Sequence, residues 1–359
     1  MGAVSPCFLE LFMEFAKESI IVSSVRTFCK SFAAVIGILI GVVLVFMGLM
    51  MFSTPDIFPP PSNLLISADA NGSRELLPHT APVILKIDIT GVIGLGDLTS
   101  EKLETSLLDS REGMLSGNRV KALLLYINTP GGTVDDADGI YRALMEYKKK
   151  FQTPIYAFVD GMCASGGMYI ASACDKIFAS PSSIIGSVGV ILGPAFNFSG
   201  LMDRYGVQAM TITEGKDKDM LSPYRPWKPD EGASLRTITA DLYERFVSIV
   251  TTARPHLDRD KLLNEYGANV FISKKAQELG YIDFADADYN MAISELVKEA
   301  KFTEAEFYQV MTISPARPFL ADLTQGKFSL LTGKITHQFQ IDSSMNSELS
   351  GRLLYLYRP

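Results

Sequence analysis

The chain has 359 residues, a formal net charge of −7 and 47% hydrophobic residues, enough for one large or two modest domains with proper cores. The acidic balance and scattered Lys and Arg argue against a nucleic-acid surface. Cys7, Cys29, Cys163 and Cys174 form no CxxC pair and there are only three histidines, so neither a metal site nor a cofactor is expected.

Residues 1–31 form an N-terminal segment in which residues 8–28 are apolar but carry Glu10, Glu14, Lys17 and Glu18. They suit either an amphipathic helix on a membrane surface or a plain extension. Residues 32–52, FAAVIGILIGVVLVFMGLMMF, contain no charge, proline or amide over a length that crosses a bilayer as a helix. About thirty residues precede this run, which is long for a cleaved leader. Lys17, Arg26 and Lys30 come before it, whereas Asp56 and Asp69 follow and Arg74 is the first cation beyond it. The positive-inside rule then predicts a single-pass anchor, with the N-terminus cytoplasmic and everything after Phe52 on the outer side. Residues 53–82, rich in proline, serine and asparagine, read as a linker.

From Val83 strands and helices alternate. Residues 83–89, 120–127, 154–159 and 176–179 read as short buried strands, while 98–110, 135–151 and 165–173 have helical spacing. That alternation predicts an α/β fold with largely parallel pairing. Residues 230–254 predict a long amphipathic helix, and residues 274–280 a short one closed by a glycine. The α/β unit occurs once.

Three places carry possible chemistry. In residues 127–138, INTPGGTVDDAD, a strand runs into Pro-Gly-Gly and then into a helix with acids in its first turn. Bare glycines leave backbone N–H groups open to an oxyanion, although an ordinary tight turn has the same composition. In residues 158–180, FVDGMCASGGMYIASACDKIFAS, Ser165 follows a strand and starts a helix, with Ala164, Gly166 and Gly167 leaving room beside it. The helix N-terminus offers free N–H groups to a bound oxygen, and an N-cap role for the serine is equally consistent. A serine nucleophile needs a base. His79, His256 and His337 fall in the linker, a loop and the tail, so no triad histidine is evident. A lysine can serve if desolvation favours its neutral form. The segment with candidates is 211–227, TITEGKDKDMLSPYRPW, where Lys216 and Lys218 could equally be solvated charges beside Asp217 and Asp219.

Taken in order, INTPGG, residues 159–190, GKDKDMLSPYRPW (215–227) and VFISKKAQELGYID (270–283) resemble the signal peptide peptidase A (protease IV) family in its short, single-unit form. With the connecting segments the likeness covers roughly residues 83–298 and the anchor. It implies a Clp protease/crotonase-like domain over 83–300. It makes Ser165 the nucleophile and Lys218 the general base, with Lys216 a weaker rival. Ser187 would orient the lysine, and Gly132 and Gly166 would supply the oxyanion hole. Thr129 stands where the family often has serine. A ring-shaped homo-oligomer is implied, with the serine and lysine of one site drawn from neighbouring copies.

The implied substrates are spent signal peptides or other apolar peptides, with small or aliphatic side chains at the cut bond. The implied location is the outer face of a bacterial cytoplasmic membrane. Two rivals share the fold: an inactive membrane scaffold and a crotonase-like acyl-CoA enzyme. Residues 301–359, including the apolar run 352-RLLYLYRP-359, match nothing in the family pattern.

Overall fold

The uncharged run falls within one helix, α1 (Ile20–Ser53). Its 34 residues span roughly 51 Å at the α-helical rise, against a hydrocarbon core of about 30 Å. The part long and apolar enough to cross a membrane is Ser23–Val45, so Arg26 and Lys30 lie on the same helix rather than on a separate segment. The computed structural model describes residues 20–53, 63–300, 302, 307–314 and 353–357. Most of the stretch read as an amphipathic helix lies outside the described residues. The chain divides into two units, Met1–Pro60 and Pro61–Pro359.

The second unit is built on a mixed sheet ordered β1-β9-β2-β3-β5-β7-β8, with β6 also beside β5. Its strands are β1 (Asn63–Ser67), β2 (Val83–Thr90), β3 (Val120–Thr129), β5 (Ile155–Ala164), β6 (Lys176–Ala179), β7 (Ile184–Gly186), β8 (Val270–Ile272) and β9 (Gln309–Ser314). The pairs linking β9, β2, β3, β5, β6 and β7 are parallel, whereas β1 on β9 and β8 on β7 are antiparallel. A parallel sheet is covered on both faces, which is why these strands read as nearly unbroken apolar runs.

Leu85, Ile87, Leu123, Leu125 and Ile127 point to one core, which also holds Phe246, Val247 and Val250 of the long helix α6 (Ala233–Ala253). Ile84, Leu124, Tyr156, Phe158 and Phe178 point to the other, covered by Ile293, Leu296 and Val297 of α8 (Tyr289–Glu299). Other helices of six residues or more among the described residues are α2 (Ser100–Asp109), α3 (Val134–Phe151), α4 (Gly166–Ala171), α5 (Ser199–Arg204) and α7 (Ser273–Leu279). Helix α7 ends at Gly280 with φ +91°, and a methyl there would fall 2.5 Å from the His256 carbonyl carbon. The expected α/β fold is therefore present.

One bend in β5 positions the site. Its first half, Tyr156–Val159, pairs with β6, and its second half, Met162–Ala164, pairs with β7. Gly161 lies between the halves with φ +116°, where a methyl would come within 2.6 Å of Asn128 Oδ1. The Met162 N–H donates to that same oxygen at 3.1 Å, so Asn128 braces the bend.

Two boundaries need correction. Residues 63–67, expected to be linker, form β1, and residues 309–314, expected to lie outside the α/β unit, form β9. The register Asn63↔Ser314 joins residues too far apart in sequence for any local pattern to reveal them. A further strand, β10 (Leu354–Leu356), pairs antiparallel with the short β4 (Gly131–Thr133).

Candidate active site

Ser165 sits at the turn from β5 into α4 with φ 53° and ψ −115°, a backbone conformation that a residue with a side chain adopts only at a cost. The surrounding structure holds it there. The Ser165 N–H donates to Gly186 O of β7 at 2.9 Å, and Tyr169 N–H donates to Ser165 O at 3.1 Å. The residue is buried, and its hydroxyl donates to Gly189 O at 3.4 Å, a long bond. Its side chain caps no helix N–H, so the N-cap explanation for this serine fails.

Gly166, the first residue of α4, presents an N–H from the unpaired first turn of that helix. The Pro-Gly-Gly strand β4 lies beside it. Gly131 adopts φ +98°, and a methyl on it would fall 2.9 Å from the Gly166 nitrogen. On its other flank β4 is pressed against Ile93: Ile93 N–H donates to Gly131 O at 2.9 Å and Thr133 N–H to Ile93 O at 3.0 Å. A methyl on Gly132 would fall 1.9 Å from the Ile93 oxygen, so only glycine fits. Because residues 131 and 133 bond towards Ile93, the Gly132 N–H faces the opposite way, into the cleft.

Thr129 does more than fill a turn. It is buried, its hydroxyl donates to Gly91 O at 2.5 Å, and it accepts from Gly131 N–H at 3.1 Å. A serine could make both bonds, which explains why either residue suits the position. Asp136, in the first turn of α3, accepts from the Thr133 hydroxyl at 2.6 Å and from Ser100 N–H at 2.9 Å, pinning the other end of β4.

Ser187 follows β7 at φ 55°, is buried, and donates its N–H to Asn269 O at 2.8 Å. Since Ala164 pairs with Gly186, Ser187 lies close to Ser165. The structure thus gathers Ser165, Gly132, Gly166 and Ser187 within a single chain. It does not bring the lysines there. Lys216 and Lys218 are exposed, and neither ammonium has a hydrogen bond or ion pair among the described residues.

The loop that carries the lysines is nonetheless ordered by a charge cluster. Arg225 donates to Asp219 Oδ2 at 2.6 Å and to Glu231 Oε2 at 2.8 Å. Leu221 N–H donates to Glu231 Oε1 at 2.5 Å and Lys228 N–H to its Oε2 at 3.1 Å. The Arg225 guanidinium and these backbone donors hold the Glu231 carboxyl well below its usual range, at about 2. An open cavity of about 660 Å³, lined in part by Val188, Val190, Trp227, Leu235 and Tyr243, separates this loop from residues 188–190.

Residues 353–357, to which the sequence assigned no role, lie in the cleft. Val134 N–H donates to Leu353 O at 3.1 Å and Tyr357 N–H to Pro130 O at 2.8 Å. With Tyr355 opposite Gly132, that pair falls in the hydrogen-bonded phase of the ladder, so the Tyr355 carbonyl faces the Gly132 N–H. A methyl on Gly131 would come within 2.0 Å of the Tyr355 oxygen. On the far side Leu354 exchanges two bonds with Ile191, each 3.0 Å. The segment is therefore a strand inserted between β4 and Ile191, with one carbonyl beside the two glycine N–H groups.

Cys163 and Cys174 are free, buried thiols, and burial pushes the Cys174 thiol up to about 12. Neither resembles a reactive cysteine.

Among known proteins, a profile described as Peptidase family S49 matches residues 147–303. A candidate signal peptide peptidase SppA of Enterococcus faecium is 31% identical over 245 residues, covering 65% of this chain and 70% of the relative. A candidate protease of Synechocystis sp. is 31% identical over 288 residues, covering 78% of this chain and 97% of the relative. A solved structure, a serine-to-alanine mutant of the 1510-N membrane-bound stomatin-specific protease, aligns with a TM-score of 0.39 and 16% identity, covering 66% of this chain and 99% of that one.

Proposed function

The chain belongs to peptidase family S49 and is a serine peptidase of the signal peptide peptidase A type, and on that footing we propose that Ser165 is its nucleophile and Lys218 of a neighbouring copy its general base. The observation that carries this reading is the strained, buried Ser165 at the start of α4, with an extended peptide already seated against Gly132 of β4 beside it.

The chemistry follows from that geometry. Ser165 Oγ attacks the peptide carbonyl carbon while its proton passes to the neutral lysine Nζ. The carbonyl oxygen becomes an oxyanion between the Gly132 and Gly166 N–H groups, which are fixed before the charge develops. The ammonium returns the proton to the departing amine as the C–N bond breaks. Water, deprotonated by the same lysine, then releases the acyl group from Ser165. Ser187, next to the nucleophile, would hold the incoming amine in place.

Two features support a base from another copy. Lys218 is exposed within its own chain. The preceding stretch exposes Met210 at 88% and Ile212 at 86%, apolar surface of a kind normally covered in an assembly. A ring of such copies would bring each loop onto the next serine. Helix α1 would tether the ring to a bilayer, with the catalytic unit on the outer side, where spent signal peptides and similar apolar segments accumulate.

Complementation tests the reading. Ser165→Ala and Lys218→Ala proteins should each be inactive on a peptide substrate, and co-assembling the two should restore part of the activity. Full cleavage by either variant alone would end the assignment. Two inactive variants whose mixture stays inactive would exclude a site shared between copies.

A further inference from the structure

Two N–H groups stabilise one oxyanion together only when their spacing is fixed beforehand, and Gly132 and Gly166 sit on different elements. Gly132 lies in β4, which runs directly into α3, so its N–H moves with that helix. Gly166 opens α4, immediately after Ser165. The two helices touch at this end: a methyl on Gly166 would fall 3.4 Å from the Ala137 Cβ of α3.

A side-chain bridge joins the helices beside that contact. Asp138, the residue after Ala137 and the last acid of INTPGGTVDDAD, accepts the Tyr169 hydroxyl on Oδ1 at 2.7 Å. Tyr169 is fully buried, and its N–H donates to Ser165 O at 3.1 Å, so the phenol and the nucleophile belong to one turn of backbone. Arg245 of α6 closes the bridge from a third element. Its Nη2 donates to the same Asp138 oxygen at 2.7 Å, and its Nε donates to the Tyr169 oxygen at 3.1 Å. The phenol therefore donates once and accepts once, and both bonds are charge-assisted. Burial works against the Asp138 charge, but the hydrogen bonds from Arg245, Tyr169 and Arg142 outweigh it and hold the carboxyl below its usual range.

A buried tyrosine–carboxylate pair can serve stability alone. The place of this one argues for more, because it links the element that carries one donor to the element that carries the other. Helix α4 has only six residues, and the first four N–H groups of a helix lack partners inside it, so its direction is set from outside. We infer that Asp138 and Tyr169 are positioning residues for the reaction: their bond fixes α4 against α3 and so sets the Gly166 N–H at the distance from the Gly132 N–H that one oxyanion requires. This rests on Ser165 being the nucleophile and on those two N–H groups being its oxyanion donors.

The test compares full-length wild-type, Tyr169→Phe, Asp138→Asn, Arg142→Gln and Ser165→Ala proteins in hydrolysis of a fluorogenic peptide amide, with a peptide aldehyde of the same sequence as inhibitor. Ser165 Oγ adds to the aldehyde carbon, and the former carbonyl oxygen then lies where the oxyanion would, so the aldehyde Ki reads the donor geometry. Misplacement by about 1 Å costs roughly 100-fold, and losing the phenol hydroxyl releases part of that. Tyr169→Phe should therefore lower kcat about 10- to 100-fold, leave KM within about threefold, and raise the aldehyde Ki by the factor that kcat loses. Asp138→Asn keeps the side-chain shape without the charge and should move kcat and Ki the same way by a smaller factor, which decides the matter should Tyr169→Phe fail to fold. Exposed Arg142 bonds the other Asp138 oxygen at 2.8 Å from within α3 itself, so Arg142→Gln should keep kcat within about threefold. Folded Tyr169→Phe and Asp138→Asn proteins with kcat and Ki within about threefold of wild type would overturn the positioning role and leave the peptidase reading intact. So would a lowered kcat with Ki unmoved, the mark of lost folded protein, or an Arg142→Gln loss as large as that of Tyr169→Phe. Hydrolysis persisting in Ser165→Ala would instead overturn the peptidase reading.

Discussion

Gly132→Ala places the added methyl against backbone rather than against a movable side chain. Its Cβ would fall 1.9 Å from the Ile93 oxygen and 2.6 Å from both the Ile93 carbon and nitrogen. Real Cβ atoms essentially never come within 3.0 Å of such atoms, so β4 and the Ile93 segment must part by about 1 Å. Both sides are hydrogen-bonded to each other, and β4 is pinned at Thr133 through Asp136, so the shift falls on the Gly132 N–H. A displacement of that size costs roughly 100-fold where reacting atoms must align. Complete loss of one oxyanion donor costs about 100- to 1000-fold, or about 2.7–4 kcal/mol of transition-state stabilisation.

The expected result is a fall in kcat of about 100- to 1000-fold with a much smaller change in KM. It is read by steady-state hydrolysis of a fluorogenic peptide beside a thermal melt to confirm folding. Gly200→Ala is the matched control. That glycine lies in α5 at ordinary φ with nothing within 4 Å of an added methyl, so activity should be unchanged. A folded Gly132→Ala protein with kcat within about threefold of wild type would refute the oxyanion role and the backbone clash together.

Burial raises the Tyr169 and Tyr355 phenols above their ordinary values, so both stay protonated near neutral pH. The Glu231 carboxyl, depressed from about 4.5 to about 2, contributes stability that is fully present above pH 4.5 and is lost as pH falls towards 2. Hydrogen-exchange protection of the Leu221 and Lys228 amides should therefore be constant from about pH 5 to 9 and collapse only in strong acid. Glu231→Gln should weaken that protection near neutral pH and lower activity by loosening the loop that carries Lys218; unchanged protection would show that the cluster does not order the loop. Removing residues 1–60 should release the protein from membrane fractions while purified Pro61–Pro359 still hydrolyses peptides, and persistent membrane binding would show that α1 is not the anchor.

Much of this protein is decided locally. The run at residues 32–52 holds no polar side chain that could stop it becoming a helix, and it lies within α1. The core strands were legible because burial on both faces demands apolar residues at nearly every position: residues 176–179 form a strand with the expected bounds, and residues 83–89 fall short of the observed β2 by one residue. Helix α7 closes at Gly280 because a residue at φ +91° excludes a side chain, a rule that acts on one position without reference to the fold. Ser165 was conspicuous for the same local reason, a hydroxyl crowded by residues with almost no side chain.

Other features depended on partners distant in the chain. The three-residue strands β4, β7, β8 and β10 carry too little pattern to announce themselves, and β1 exists because β9 lies beside it. The surroundings of Ser165 are set by Gly186 at the end of β7, Gly189 just beyond it and Gly131 of β4, segments that meet only in the folded sheet. Residues 352–359 showed an apolar, aromatic composition but no destination. The sequence by itself determined which segments could span, pack or turn, since those are properties of neighbouring side chains and single backbone angles. Only the tertiary structure decided that the Tyr355 carbonyl should face Gly132 and that Lys218 should lie exposed rather than against its own serine, because hydrogen bonds and packing between segments far apart in sequence settle those positions.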